Sequence, residues 1–246
     1  SSSSPRYWVR MVAGLRLFGR GLQKSGESRR MRFFCLFLYR IRRFARQNVR
    51  TTMKERWKPG TMIYPLPAVL VSCGAVPEEY NLLTVAWTGT VCTDPPMCYV
   101  SVRPERHSYG IIRRTGEFVI NLTTADLARA TDWCGVRSGR DGDKFARMGL
   151  TPGRASVVAA PTVEEAPLSI ECRVRQIIPL GTHDMFLAEV VAVLADDRYI
   201  DPATGRFALE QARPIVYMHG AYYELGRMID RFGWSVRRKK PADRKR

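Results

Sequence analysis

The stretch from Asn81 to Asn121, NLLTVAWTGTVCTDPPMCYVSVRPERHSYGIIRRTGEFVIN, decides how the rest of the chain is arranged. Leu82 to Trp87 and Met97 to Val102 are short runs of β-branched, aromatic and small apolar residues, the composition of strands. Asp94-Pro95-Pro96 between them is a turn signal, because proline fixes φ and cannot donate to a sheet ladder. Tyr109 to Thr115 then reads as a short helix closed by Gly116, and Phe118 to Leu122 as a further strand. Polar residues gather around these runs: Asn81, Thr84, Thr88, Thr90, Ser101, Arg103, Arg106, His107 and Ser108.

Hydroxyls, an amide and guanidinium groups at strand ends are what a bound phosphate needs, since its charge is met by several short charge-assisted hydrogen bonds. Trp87 adds an apolar face for a flat ring system. The same residues also fit a half-exposed hairpin with a polar rim. In that alternative Asn81 is a turn residue, Trp87 belongs to the core, Arg103 pairs with Glu105 or Asp94, and His107 caps the helix that follows. His183 and His219 read as structural.

Outward from this stretch, Ala68 to Gly74 is a buried strand and Pro77 to Asn81 a turn into the next one. Thr124 to Trp133 reads as a helix with a threonine cap and Asp126 in its first turn. Gly135 to Gly153, glycine-rich and charged, reads as a surface excursion that returns through a helical turn at Lys144 to Met148. Leu168 to Arg175 alternates apolar and polar without a slip; Met185 to Leu194 and Ile215 to His219 are further strands. These strands follow too closely for βαβ crossovers, so the expected class is mainly β, an antiparallel barrel with a few peripheral helices. Tyr217, Tyr222 and Tyr223 fit a dimer interface or a barrel cap equally well. Neither GxxxxGK[ST] nor GxGxxG occurs, so a nicotinamide cofactor would have to visit as a substrate.

The formal charge of +17 points first to nucleic acid or an acidic surface, but its distribution argues against both. Residues 1–52 carry thirteen basic residues against one acid, and residues 237–246 carry seven against one. Residues 53–236 hold twenty basic residues against twenty-one acids, a nearly neutral globular part. The organisation expected is a basic extension over 1–52, disordered or non-native and with Met53 near the true start, a domain over 53–236, and a basic tail over 237–246. A helix is allowed over Arg29 to Arg50. The apolar burst Phe33 to Tyr39 is too short to span a bilayer. The six cysteines show no CxxC pair and no metal-ligand spacing, and read as reduced core residues of a cytoplasmic protein, with a redox role open to Cys92 or Cys98.

Four segments in order, NLLTVAW, TDPPMCYVSVR, HSYGIIRRTGEFVINL and DKFARMGLTP, resemble the flavin-reductase-like family of FMN-binding split β-barrels, its flavoredoxin branch most of all. The resemblance runs from about Met53 to Gly226 and omits both termini. It implies a split barrel, a homodimer and FMN held near the interface. It places Asn81, Thr84, Ala86, Trp87 and Thr88 along the isoalloxazine or ribityl side, and Ser101, Arg103, His107 and Ser108 at the phosphate. Arg106 would add a second cation, and Lys144 would approach from the surface excursion unless it pairs with Asp141 or Asp143. Two activities are implied: an NAD(P)H-dependent flavin reductase passing electrons to flavin, a monooxygenase or a ferric complex, or a flavoredoxin-like carrier fed by a protein donor. Hydride transfer to a flavin needs no general base, so the absence of a triad or carboxylate pair counts against neither.

Overall fold

The computed structural model describes residues 53–236; the basic extension, the helix over 29–50 and the basic tail lie outside them. Residues 53–60 fall in a separate unit and carry no helix or strand. From Thr61 onward the chain forms twelve strands: β1 (Leu66–Pro67), β2 (Val69–Cys73), β3 (Asn81–Val85), β4 (Thr88–Thr93), β5 (Pro96–Val102), β6 (Glu117–Leu122), β7 (Pro152–Gly153), β8 (Thr162–Val163), β9 (Leu168–Pro179), β10 (Asp184–Ala195), β11 (Ile215–Met218) and β12 (Ala221–Glu224). Three helices accompany them, α1 (His107–Thr115), α2 (Ala128–Val136) and α3 (Lys144–Met148).

Seven strands make one antiparallel sheet in the order β3-β2-β6-β9-β10-β5-β4, curled around a core, while β1, β11 and β12 form a small sheet beside it. The protein is mainly β, as its alternating runs require. β2, VLVSC, is buried at every position because both of its faces are covered. Val69, Val71 and Cys73 enter the barrel core with Leu83, Val85, Val100, Val102, Phe118 and Phe186. Leu70 faces the other way, into a second core with Leu82, Leu127, Cys134, Phe145 and Leu150, where α2 and α3 pack on the outside of β2 and β3. This second layer is what carries the segment 135–150 onto the sheet.

Two elements differ from the sequence expectation. TGTVCT forms β4, paired with β5 across the Asp94-Pro95 turn and half exposed along an edge. Helix α2 starts at Ala128 and not at Thr124, because Thr124 is taken into a β-bridge with Pro214 and the Ala125 amide donates to the Arg213 carbonyl. The Thr124 hydroxyl still accepts from the Leu127 amide (3.4 Å), so the threonine caps the turn that leads into the helix. Gly116 does close α1, at φ 70°.

The outer face of β9 holds an anchor. Glu171 is fully buried, its carboxylate accepting from the Ser156 amide (2.7 Å) and hydroxyl (2.6 Å) and from the Val157 (2.7 Å) and Val158 (3.0 Å) amides. Burial pushes its acidity down, but the bonds from Ser156, Val158 and Val157 outweigh this and hold the carboxyl below its ordinary value. Inside the barrel, the Cys98 and Cys172 sulfurs lie 3.5 Å apart. They belong to β5 and β9, which are separated by β10. All five described cysteines are free.

Candidate functional site

The sheet stays open between β3 and the β4–β5 hairpin, and a cavity of about 250 Å³ lies there. Leu83, Thr84, Val85 and Ala86 form one wall, Ser101, Val102 and Arg103 another, with Trp87, Arg106, His183 and Tyr217 at the rim. Trp87 is 36% exposed and its ring stands 4.3 Å from that of His183, which the turn between β9 and β10 brings over it. Burial lowers the basicity of His183, and Arg103 adds to the effect, so its neutral form is favoured.

A second cavity, of about 340 Å³, adjoins the first through the shared residues Leu83, Arg103 and Arg106. Its floor is Asn81, His107, Ser108 and Lys144, and its outer wall is Val136 to Arg140. The Asn81 amide donates to the Ser108 hydroxyl at 2.7 Å, joining the start of β3 to the first turn of α1. Gly139 closes over this pair: a Cβ there would stand 2.2 Å from Asn81 Oδ1, so only glycine permits the approach. Arg106 donates to the Gly135 carbonyl (3.1 Å) and Arg140 to the Glu105 carbonyl (3.4 Å), which ties the segment after α2 to the turn before α1.

Lys144 is the unusual member. Only 2% exposed, it reaches inward from the start of α3, and its Nζ donates to the Cys134 carbonyl at 2.8 Å. Among the described residues it forms no ion pair. Asp143, the carboxylate nearest in sequence, is spent capping α3 through the Phe145 and Ala146 amides. Burial lowers the basicity of Lys144, opposed by the Cys134 thiol and reinforced by Arg106. His107 is lowered as well, by burial and then by Arg140 and Lys144.

Of the residues singled out in the sequence, Thr84, Ala86, Trp87 and Ser101 line the first cavity; Asn81, His107, Ser108 and Lys144 line the second; Arg103 and Arg106 line both. Asn81 thus lies in the cavity with His107 and Lys144, and Ser101 in the cavity with Trp87. Thr88 lines neither cavity: its hydroxyl donates to the Tyr99 carbonyl at 2.6 Å. The Thr84 hydroxyl is committed to the Thr131 carbonyl. Arg103 does pair with Glu105, at 3.5 Å and half exposed, while His107 makes no cap: the cap position is Arg106, without a side-chain bond. Lys144 belongs to the interior and not to the surface, and pairs with neither aspartate.

Sequence reasoning missed Leu83, Arg137 to Arg140, His183 and Tyr217. The run RSGR carried the signal, small residues interleaved with arginines, but its glycines suggested a solvent loop. A further cavity of about 580 Å³ lies along residues 152–161 beside Tyr80. Its Ser156, Val157 and Val158 amides are consumed by Glu171.

A sequence model of the flavin reductase like domain matches residues 61–226. The chain belongs to that family. Among solved structures of its relatives, the flavoredoxin of Desulfovibrio vulgaris (Miyazaki F) is 29% identical, with a TM-score of 0.69 over 75% of this chain and all of that one. The flavoredoxin from Methanosarcina acetivorans is 25% identical, with a TM-score of 0.69 over 76% of this chain and all of that one. Among curated proteins, the FMN reductase (NADH) RutF of Cronobacter turicensis is 24% identical over 108 residues, 44% of this chain and 63% of that protein. Thus the flavin-reductase-like chain is a split barrel by fold and a flavoprotein by family. No helix among its described residues is long and apolar enough to cross a membrane.

Proposed function

We propose that this chain binds FMN across the two adjoining cavities and works as a flavin oxidoreductase, with NAD(P)H as a diffusible hydride donor. The observation that carries the reading is the polarity of the site. One end is a buried ammonium, Lys144, with Asn81, His107, Ser108 and the arginines 103, 106 and 140; the other is aromatic, around Trp87 and His183. Leu83, Arg103 and Arg106 are common to both ends, so one ligand with an anionic tail and a flat ring satisfies both. Their volumes together fall within the range of small-molecule sites, about 300–1,000 Å³. A buried cation without an ion pair among the described residues, lining a cavity with Asn81, His107 and Ser108, fits a phosphate.

Bound there, FMN supplies the hydride-accepting ring. The chain's contribution is to hold and orient it. Arg103, Arg106 and Lys144 set a positive field at the tail, and the Ser108 and His107 side chains offer hydrogen bonds. Ala86 and Leu83 would offer the ring an apolar wall, and Trp87 would stand at the rim, on the side open to solvent. Neutral His183 at that opening can donate one hydrogen bond without adding charge. No residue is asked to move a proton during hydride transfer.

A flavoredoxin-like carrier without nicotinamide activity is the second reading, favoured by the full-length likeness to two flavoredoxins. Assembly as a homodimer is proposed from the exposed apolar residues of 225–236, including Ile229, Phe232 and Trp234. A cytoplasmic setting is proposed from five free thiols. Electrons would pass on to free flavin, a monooxygenase or a ferric complex.

The test is an absorption spectrum of the purified chain, then anaerobic NADH or NADPH. Flavin bands that bleach with nicotinamide support the reductase, and bands that persist until dithionite is added support the carrier. A chain that neither carries nor takes up FMN removes both readings.

A further inference from the structure

The anionic end of the site places a lysine where a lysine is expensive to keep charged. Lys144 Nζ is enclosed by the Cys134 carbonyl and thiol from α2, the Cys73 thiol from β2, Asn81 from β3, and Ser108 and His107 from α1. Arg106 from the preceding turn and Arg140 from the turn Gly139–Asp141 complete the surroundings. Asp141 is the one carboxylate that acts on it, and it is the weakest of those influences. Asp143 is turned away to cap α3. An ammonium desolvated among arginines and thiols, with one carbonyl as its acceptor, holds its proton less firmly than one in water. A dianionic group entering the same cavity reverses that balance, because it supplies the missing counter-charge within a low-dielectric space.

We infer that this site takes up its phosphate together with a proton, and that Lys144 is the group whose hold on the proton tightens. The inference rests on the flavin reading given above and adds a regulation of the same site by pH. The lowered basicity of Lys144 agrees with it in direction. The sign follows from linkage. A group whose affinity for a proton rises on binding makes binding independent of pH while it is already protonated. Binding then weakens as pH climbs through the free protein's value, by up to about tenfold per pH unit for one proton. The second ionisation of the phosphate itself acts on the acid side, near pH 6, and His107, whose basicity burial lowers, stays clear of the alkaline branch, which is left to Lys144.

The experiment is calorimetric titration of the intact chain with FMN from about pH 7 to about pH 10, in pairs of buffers that differ in ionisation enthalpy, with riboflavin as the phosphate-free control. The ring ionises in both ligands, so only a difference between them reports on the tail. The expected result is proton uptake that grows toward alkaline pH for FMN, with none for riboflavin. Lys144→Arg, which stays protonated throughout, removes that uptake. Lys144→Met binds FMN more weakly and without the alkaline branch, and serves if the larger side chain perturbs the fold. FMN preferred over riboflavin without proton uptake, or uptake unchanged in Lys144→Arg, overturns the coupling alone. FMN bound no better than riboflavin overturns the phosphate reading and the coupling with it.

Discussion

Replacing Gly139 by alanine tests the cationic end with the smallest possible change. A Cβ at that position would fall 2.2 Å from Asn81 Oδ1, 2.6 Å from its Cγ and 2.8 Å from its Nδ2. Ordinary contact begins near 3.4 Å, so the Asn81 amide must retreat by about 1.2 Å. Its hydrogen bond to Ser108, now 2.7 Å, cannot survive a displacement of that size in an unfavourable direction. Losing one neutral hydrogen bond costs about 0.5–1.5 kcal/mol, and where the complex needs the pair in its present geometry that cost appears as FMN binding weaker by about two- to tenfold. Gly139 does not have a positive φ, so the backbone accepts alanine and the fold should be retained. Fluorescence titration with FMN, beside thermal melting, separates the two effects. Gly110→Ala is the matched control: nothing lies within 4 Å of its Cβ position, in the middle of α1, so it should bind FMN normally and melt slightly higher. Unchanged FMN affinity in Gly139→Ala would refute the argument that Asn81 and Ser108 form the cradle.

Other substitutions address other parts. Arg103→Ala should lower FMN affinity far more than riboflavin affinity, because only FMN carries the phosphate; equal losses in the two titrations would move Arg103 out of the tail site. Glu171→Gln removes the charge from an acceptor of four bonds and should lower the melting temperature by several degrees, each bond to a charged group being worth about 1.5–3 kcal/mol. Since the folded carboxyl is held below its ordinary value, this support is complete above the usual carboxylate range and disappears as pH falls through the folded value. Melting curves over acid pH should therefore converge for the two proteins, and parallel curves would show that Glu171 is not the titrating anchor.

The parts of the fold that the sequence announces are those in which one face alone decides. LSIECRVR alternates, and the strand is there; Gly116 follows an apolar turn, and the helix ends there. The parts it conceals depend on what lies across from them. TGTVCT carries too little apolar surface to declare a strand, and it is one because β5 offers a ladder. Thr124 does cap a turn, but Pro214 claims its backbone and the helix proper starts four residues later. Lys144 follows Asp141 and Asp143 closely in sequence, which suggests a solvated ion pair. Its burial is set by Phe145, its neighbour, which must enter the core with Leu70 and Leu82 and draws the start of α3 inward. The site residues of β3 to α1 were legible because their polarity interrupts apolar runs, whereas His183 and Tyr217 come from distant turns and strands and leave no local trace.

The two ends of the site are also built from different kinds of material. The cationic end is assembled from β3, which enters both cores, from α1 in the barrel core and from α2 and α3 in the second, so a change there disturbs folding and cofactor retention together. The aromatic end borrows His183 from a turn and Tyr217 from a short strand of the smaller sheet, neither of them needed to close the barrel. Such a chain is free to change what approaches its ring while keeping the same grip on the tail. Divergence within the lineage should therefore concentrate at the mouth, where electron partners are chosen, and leave the anchorage constant.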